Sequence, residues 1–283
     1  GVTARAYLRW LKTQSERPRH LEELTDEEQG WLFQQPDLHH RRAPGNTCVS
    51  ALKAMELLGD SPARNNSKGC GAVMRMAPAG LFVASVGRGV DADAAFELGT
   101  DLSAITHGHP TGSLAGGAFA VLILELARGS TLSEAIMTAK SSLIERPHHE
   151  ETHQALESAR LLADQGVDHP SAIRQLGEGW VVDEALAISV YCALVADDFK
   201  HGVMLAVNHD GDSDSTGSIT GNLLGVAHGV DAIPAEWLNE LELREVIEEV
   251  ADDLCDFPGW QISDYDSEEG GLTDRVWRKY PGC

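Results

Sequence analysis

The sequence predicts an all-α fold, a compact multi-helix bundle. Apolar residues recur with helical spacing over long segments, two segments are apolar nearly all round, and no run alternates apolar and polar residues as a half-buried strand does. Short connections bearing Gly, Pro and Asp between alanine-rich segments fit helices packed side by side. Residues 4–13 place Tyr7, Leu8 and Leu11 on one face and read as an outer helix. Residues 114–126 and 185–196 have almost no polar face and belong at the centre of the bundle, where Gly112, Gly116 and Gly117 let the first approach a neighbour closely. Residues 218–225 read as a helix leaving an acidic loop. Gly217, Gly221, Gly225 and Gly229 fall at successive i+4 positions there, a bare stripe. Glycine inside a helix costs roughly 1 kcal/mol against alanine, so the stripe implies close backbone approach by a neighbouring helix. Residues 242–254 turn Leu243, Val246, Ile247, Val250 and Leu254 to one side and Glu245, Glu248, Glu249 and Asp252 to the other. The stretch 257–271 is rich in glycine and acid and reads as irregular, with Trp260 and Trp277 as anchors.

With 283 residues and 42% hydrophobic content, the chain can bury a substantial core, and no linker divides it, so a single domain over 1–283 is expected. A net charge of −22 argues against a general nucleic-acid or membrane surface, while a cleft can still hold a pyrophosphate through metal ions and backbone dipoles. Five cysteines, Cys48, Cys70, Cys192, Cys255 and Cys283, are odd in number and show no paired spacing, which favours reduced thiols and a cytoplasmic location.

Chemistry concentrates in Gly211-Asp212-Ser213-Asp214-Ser215-Thr216-Gly217, where two carboxylates and several hydroxyls precede a helix. Hard oxygen ligands at that density suit a divalent cation, and N–H groups at the helix start suit a phosphate or carboxylate. An EF-hand is excluded, because Ser215 stands at the glycine position and Gly221 where a bidentate Glu is required. An aspartate-dependent phosphatase, with Asp212 as nucleophile and Asp214 as acid, remains a distant alternative that needs a strand over 203–207. His149-Glu150-Glu151-Thr152-His153 satisfies the H-E-x-x-H pattern of zinc peptidases, yet it is polar throughout. Pro147, Glu150 and Glu151 are ordinary helix-start residues, and that reading is preferred. His39-His40-Arg41-Arg42 reads as a solvated turn, with an acceptor or phosphate contact as the alternative.

The 211–217 loop with Ile219, Gly221 and Gly225 resembles the C-terminal metal motif of the ADP-ribosylglycohydrolase family. Further similarities follow in the family's order: Arg42-Ala43-Pro44-Gly45-Asn46-Thr47, the glycine-rich Lys68-Gly69-Cys70-Gly71-Ala72-Val73-Met74-Arg75, Thr106-His107-Gly108-His109-Pro110, and the aromatic tail Trp277-Arg278-Lys279-Tyr280-Pro281-Gly282.

This resemblance implies an all-α fold and metal-dependent hydrolysis that frees ADP-ribose from a modified acceptor, a protein side chain such as arginine or a related conjugate. It implies two Mg2+ or Mn2+ ions in the complete site, with Asp212, Asp214 and Ser215 as ligands from this chain, and Asp212 and Asp214 as the residues of the reaction. Ser67, Lys68, Gly69, Cys70, Gly71, His107 and Gly112 would line the ADP-ribose cleft, Cys70 replacing the Asn of many relatives. The family's N-terminal Thr-Asp-Asp-Thr motif and an upstream Glu have no match here, since the adjacent pairs Asp197-Asp198 and Asp252-Asp253 lie far downstream. The expectation is therefore a sequence that begins inside a longer protein and carries half of a binuclear site. A catalytically impaired ADP-ribose-binding or regulatory relative is the alternative.

Overall fold

The computed structural model describes residues 1–16, 26–55, 63–87, 89–262 and 270–282. Among them are fifteen α-helices and no β-strand. They are α1 (Val2–Thr13), α2 (Asp26–Phe33), α3 (Asn46–Ala54), α4 (Ala77–Val86), α5 (Ala92–Ala104), α6 (Pro110–Ala127), α7 (Leu132–Ile144), α8 (Glu150–Gln165), α9 (His169–Leu176), α10 (Val182–Leu194), α11 (Phe199–Val207), α12 (Ser213–His228), α13 (Ala235–Glu240), α14 (Arg244–Asp256) and α15 (Leu272–Lys279). Residues 203–207, which the phosphatase alternative needs as a strand, lie in α11, so that alternative is set aside.

The two segments without a polar face form the centre. Every residue from 114 to 124 on α6 and from 185 to 193 on α10 is buried, and each large aliphatic or aromatic side chain so placed contributes about 1.5–3 kcal/mol. Around α6 pack α4, α5, α7, α8, α10 and α12. α6 is also long and apolar enough to cross a bilayer, but its apolar surface is covered by these neighbours. Its glycines act as expected: a Cβ on Gly117 would stand 2.4 Å from Thr100 Oγ1, and one on Gly99 of α5 would stand 2.5 Å from the Gly116 carbonyl oxygen. Close backbone contact thus joins α5 to α6.

The stripe on α12 works differently. Phe199, Val203 and Val207 form an i+4 ridge on α11 that lies along it, so the stripe is a groove for side chains rather than a backbone contact. A Cβ on Gly217 would come within 2.6 Å of Val207, whereas one on Gly221 or Gly225 would make ordinary contact at 3.9 Å. Gly229 ends the helix with φ of +79°. On the outside, α14 half-buries Val246, Val250 and Leu254 against α4 and leaves Ile247 exposed. A smaller cluster of Ala4, Leu8, Leu11, Leu52, Met55 and Ile105 joins α1 and α3 to the end of α5. Cys48, Cys70, Cys192 and Cys255 are free thiols; Cys283 and residues 263–269 of the acidic tail lie outside the described residues.

Candidate functional site

The glycine-rich loop 67–71 lies where several helix ends meet. Its backbone is pinned by Val182 N–H donating to the Lys68 carbonyl at 2.8 Å and Cys70 N–H donating to the Trp180 carbonyl at 3.2 Å, a single antiparallel bridge between the loop and the start of α10. Ser67 Oγ lies 2.9 Å from Thr47 Oγ1, which brings the Arg42–Thr47 segment to the loop. Lys68 directs its ammonium to Glu151 at 2.8 Å and Asp183 at 3.1 Å. A cavity of about 400 Å³, lined in part by Thr47, Ala51, Met55, Asn65 and Ser67, opens beside it.

His107 lies beneath the loop. A Cβ added to Gly69 or Gly71 would meet its ring in ordinary contact at 3.5 and 3.6 Å, whereas one on Gly112 would press on its Cβ at 3.3 Å, so Gly112 is the glycine that lets backbone lie close to the histidine. Burial, then the positive charge of Arg75, push the imidazole down to about 4, so it is neutral at pH 7. Arg75 Nη2 donates to Thr106 Oγ1 at 2.6 Å, and that hydroxyl lies 2.9 Å from His107 Nδ1. A Thr106 hydroxyl proton directed at Nδ1 would pair with the tautomer that carries the ring proton on Nε2, the nitrogen facing the loop. Arg75 also donates to Tyr7 OH at 3.0 Å and Cys48 Sγ at 3.1 Å. One guanidinium therefore gathers α1, α3 and the Thr106-His107 segment.

The acidic loop closes the other side. Asp212 N–H donates to the Glu178 carbonyl at 2.8 Å, and Gly211 is required there because a Cβ would stand 1.8 Å from that carbonyl oxygen. Asp212 is buried, and the Cys70 thiol donates to its Oδ2 at 2.6 Å. Burial, and then the Asp214 carboxyl alongside, raise the Asp212 carboxyl above its ordinary value. Burial first and the hydrogen bond to Asp212 second push the Cys70 thiol up to about 11. Ser215 Oγ approaches Cys70 Sγ at 3.4 Å and Met74 Sδ at 3.3 Å. Residues far apart in sequence, Ser67 to Gly71, His107, Gly112, Asp212, Asp214 and Ser215, are thus assembled into one neighbourhood.

The donor set around Asp212 can be judged against a divalent ion. Two adjacent carboxylates, one of them disfavoured as an anion by its neighbour, are chemistry that a cation relieves, and the Ser215 hydroxyl adds a hard oxygen. That fits one hydrated ion; among the described residues no third carboxylate, His or Cys completes a cluster able to enclose it.

Among the described residues the H-E-x-x-H motif gathers no third metal ligand. His149 precedes α8 with Nδ1 2.8 Å from the Arg146 carbonyl oxygen, Glu150 is exposed, and the His149 and His153 rings stand edge to face with centroids 6.1 Å apart. Arg41 and Arg42 pair with Glu16 and Glu242, as the solvated-turn reading of that segment expects. Sequence reasoning missed Asn65, whose Oδ1 accepts from Ser67 N–H at 3.0 Å and Gly108 N–H at 3.1 Å, and whose Nδ2 donates to the Thr106 carbonyl at 2.9 Å. It also missed Glu151, Asp183 and the 178–180 segment. An Asx turn at Asn65-x-Ser67 was the one local signal.

Comparison with known proteins agrees with the all-helical fold. A solved structure described as an ADP-ribosylglycohydrolase-related protein complex superposes with a TM-score of 0.56 at 25% identity, covering 90% of this chain and 80% of that one. The ADP-ribosyl-[dinitrogen reductase] glycohydrolase of Rhodospirillum rubrum is 28% identical over 203 residues, 71% of this chain and 60% of that protein. An ADP-ribosylarginine hydrolase of Serratia proteamaculans is 33% identical over 76 residues, 27% of this chain and 20% of that protein. The chain thus spans less than two thirds of the length of either relative. The ADP-ribosylglycohydrolase family model matches residues 2–262, through nearly every helix that builds the neighbourhood described above, and the chain belongs to that family.

Proposed function

We propose that the protein is a metal-dependent hydrolase that releases ADP-ribose from a modified protein side chain, arginine being the acceptor suggested by the relatives' names. The observation that carries this reading is the Asp212–Asp214 pair, in which Asp212 is buried beside a glycine-rich loop and a neutral histidine, Asp214 is exposed, and neither has a cationic partner among the described residues. Asp212, Asp214 and Ser215 would hold one Mg2+ or Mn2+, and a second ion would need further carboxylates, because adjacent dications repel strongly. Such an ion supplies Lewis-acid chemistry, orienting sugar hydroxyls and making a water more acidic.

The chain's own residues do the rest. The 67–71 loop has its Ser67, Gly69 and Cys70 N–H groups engaged by Asn65, Ser67 Oγ and Trp180, which fixes its shape, and its glycines keep Cβ atoms out of the ligand's path. In the tautomer protonated at Nε2, His107 would be a neutral donor facing the same space, able to orient a ligand oxygen without adding charge. Burial of Asp212 lowers the local dielectric and strengthens each of these interactions.

The test uses the full-length protein and an ADP-ribosyl-arginine substrate, with and without Mg2+ or Mn2+. Asp212→Ala and Asp214→Ala should each reduce metal-dependent release by a factor of about 100 or more, with helical circular dichroism near native. Wild-type rates in both variants would remove the assignment, and a full-length protein that binds ADP-ribose but releases none under either metal would favour the binding-relative alternative.

A further inference from the structure

Lys68 sits in the loop that the proposed function gives to the ligand, yet its ammonium points at helix starts. Three of them converge on it. Glu151 in the first turn of α8 accepts from Lys68 Nζ at 2.8 Å, and the same oxygen accepts from Thr111 Oγ1, in the first turn of α6, at 2.7 Å. Asp183 in the first turn of α10 holds the ammonium at 3.1 Å through Oδ1 and 3.3 Å through Oδ2. Each carboxylate lies where the helix dipole favours negative charge. Hydrogen bonds from Lys68 and then Thr111 hold Glu151 below the usual carboxylate range; burial opposes the charge of Lys68, but the two carboxylates outweigh it and lift its pKa.

We propose that Glu151, a member of the apparent zinc motif, is a positioning residue: held in place by Thr111, it fixes the 67–71 loop in its ligand-ready shape through Lys68. The Lys68 carbonyl accepts from Val182 N–H, the residue before Asp183, so side chain and backbone of Lys68 grip the same helix start. Glu151 adds the only side-chain link in this network from that loop to both α8 and α6 among the described residues. Glycines at 69 and 71 leave the loop with little stiffness of its own, so its conformation depends on anchors at Ser67, Lys68 and Cys70. The H-E-E-T-H segment then contributes through its second glutamate, with no metal involved. The functional consequence rests on the reading that this loop binds ADP-ribose.

Two measurements on the full-length protein separate the inference from that reading. Amide hydrogen exchange in Glu151→Gln should speed up across residues 67–71 while the core helices α6 and α10 keep native protection. ADP-ribose affinity by calorimetry should fall about tenfold to a hundredfold in Glu151→Gln, the range set by hydrogen bonds to charged groups. Lys68→Met should weaken binding comparably, and the double variant should be no weaker than Lys68→Met alone, since Glu151 acts through Lys68. Native exchange across the loop in Glu151→Gln, or fully additive losses in the double variant, would overturn the clamp. A wild-type protein that binds no ADP-ribose, with loop exchange still accelerated in Glu151→Gln, would overturn the functional reading and leave the clamp standing.

Discussion

At the scale of single residues, His107 is a side chain whose fold-imposed chemistry can be read out directly. Its imidazole is 1% exposed and titrates at about 4, against an ordinary value of 6.5. Between these two values the unfolded chain binds the proton and the folded one does not, so folding stability rises with pH across that window. The contribution is complete above pH 6.5 and is lost as pH falls towards 4, a loss of about 3 kcal/mol at most. Asp212 acts with the opposite sign, because its raised carboxyl favours the protonated fold and that stabilisation disappears as pH rises. Urea titrations from pH 7 to pH 4.5 should show His107→Asn with a visibly flatter slope of stability against pH than wild type. Equal slopes would mean that the buried ring carries a proton in the folded state.

At the scale of elements, glycine has two opposite roles that its spacing alone does not distinguish. On α5 and α6 it permits helix backbones to meet, and Gly99→Ala drives a Cβ to 2.5 Å from the Gly116 carbonyl oxygen, with no flexible atom to yield. That substitution should destabilise by about 1–3 kcal/mol, as overpacked cores do. On α12, Gly221→Ala meets Val203 at an ordinary 3.9 Å and gains helix propensity, so it should stabilise by about 0.5–1 kcal/mol. Thermal midpoints moving in opposite directions would support this division; a fall in both would return the α12 stripe to a tight backbone contact. The H-E-x-x-H segment shows the same limit. Its helix-start residues were legible from Pro147, Glu150 and Glu151, but the partner of Glu151 lies in a loop 83 positions earlier.

At the scale of the whole molecule, the candidate site belongs to no single element. Ser67 to Gly71 is connected to Asp212 through the Cys70 thiol, to α10 through a backbone bridge and to α8 through Lys68, so a ligand seated there would stabilise the assembly as a unit. ADP-ribose at one hundred times its dissociation constant should stabilise the folded full-length protein by about 2.7 kcal/mol, visible as a raised thermal midpoint. A midpoint that stays constant while calorimetry reports binding would place the ligand on a surface that unfolding does not disrupt.

Helical class and the identity of the central helices were written in the chain, because the absence of a polar face on 114–126 and 185–196 leaves those segments no stable place except the interior. The ligand-type residues were legible as well, since Asp212, Asp214 and Ser215 carry hard oxygens and their neighbours are glycines that only a close approach requires. What a one-dimensional pattern cannot contain is which distant groups face one another. Asn65 beside Thr106, Arg75 reaching Tyr7 and Cys48, and the Cys70 thiol on Asp212 are contacts between segments dozens to more than a hundred positions apart. Packing of α5, α6 and α10 fixes those pairings, and through burial and neighbouring charge it sets the neutrality of His107 and the reluctance of Asp212 to ionise.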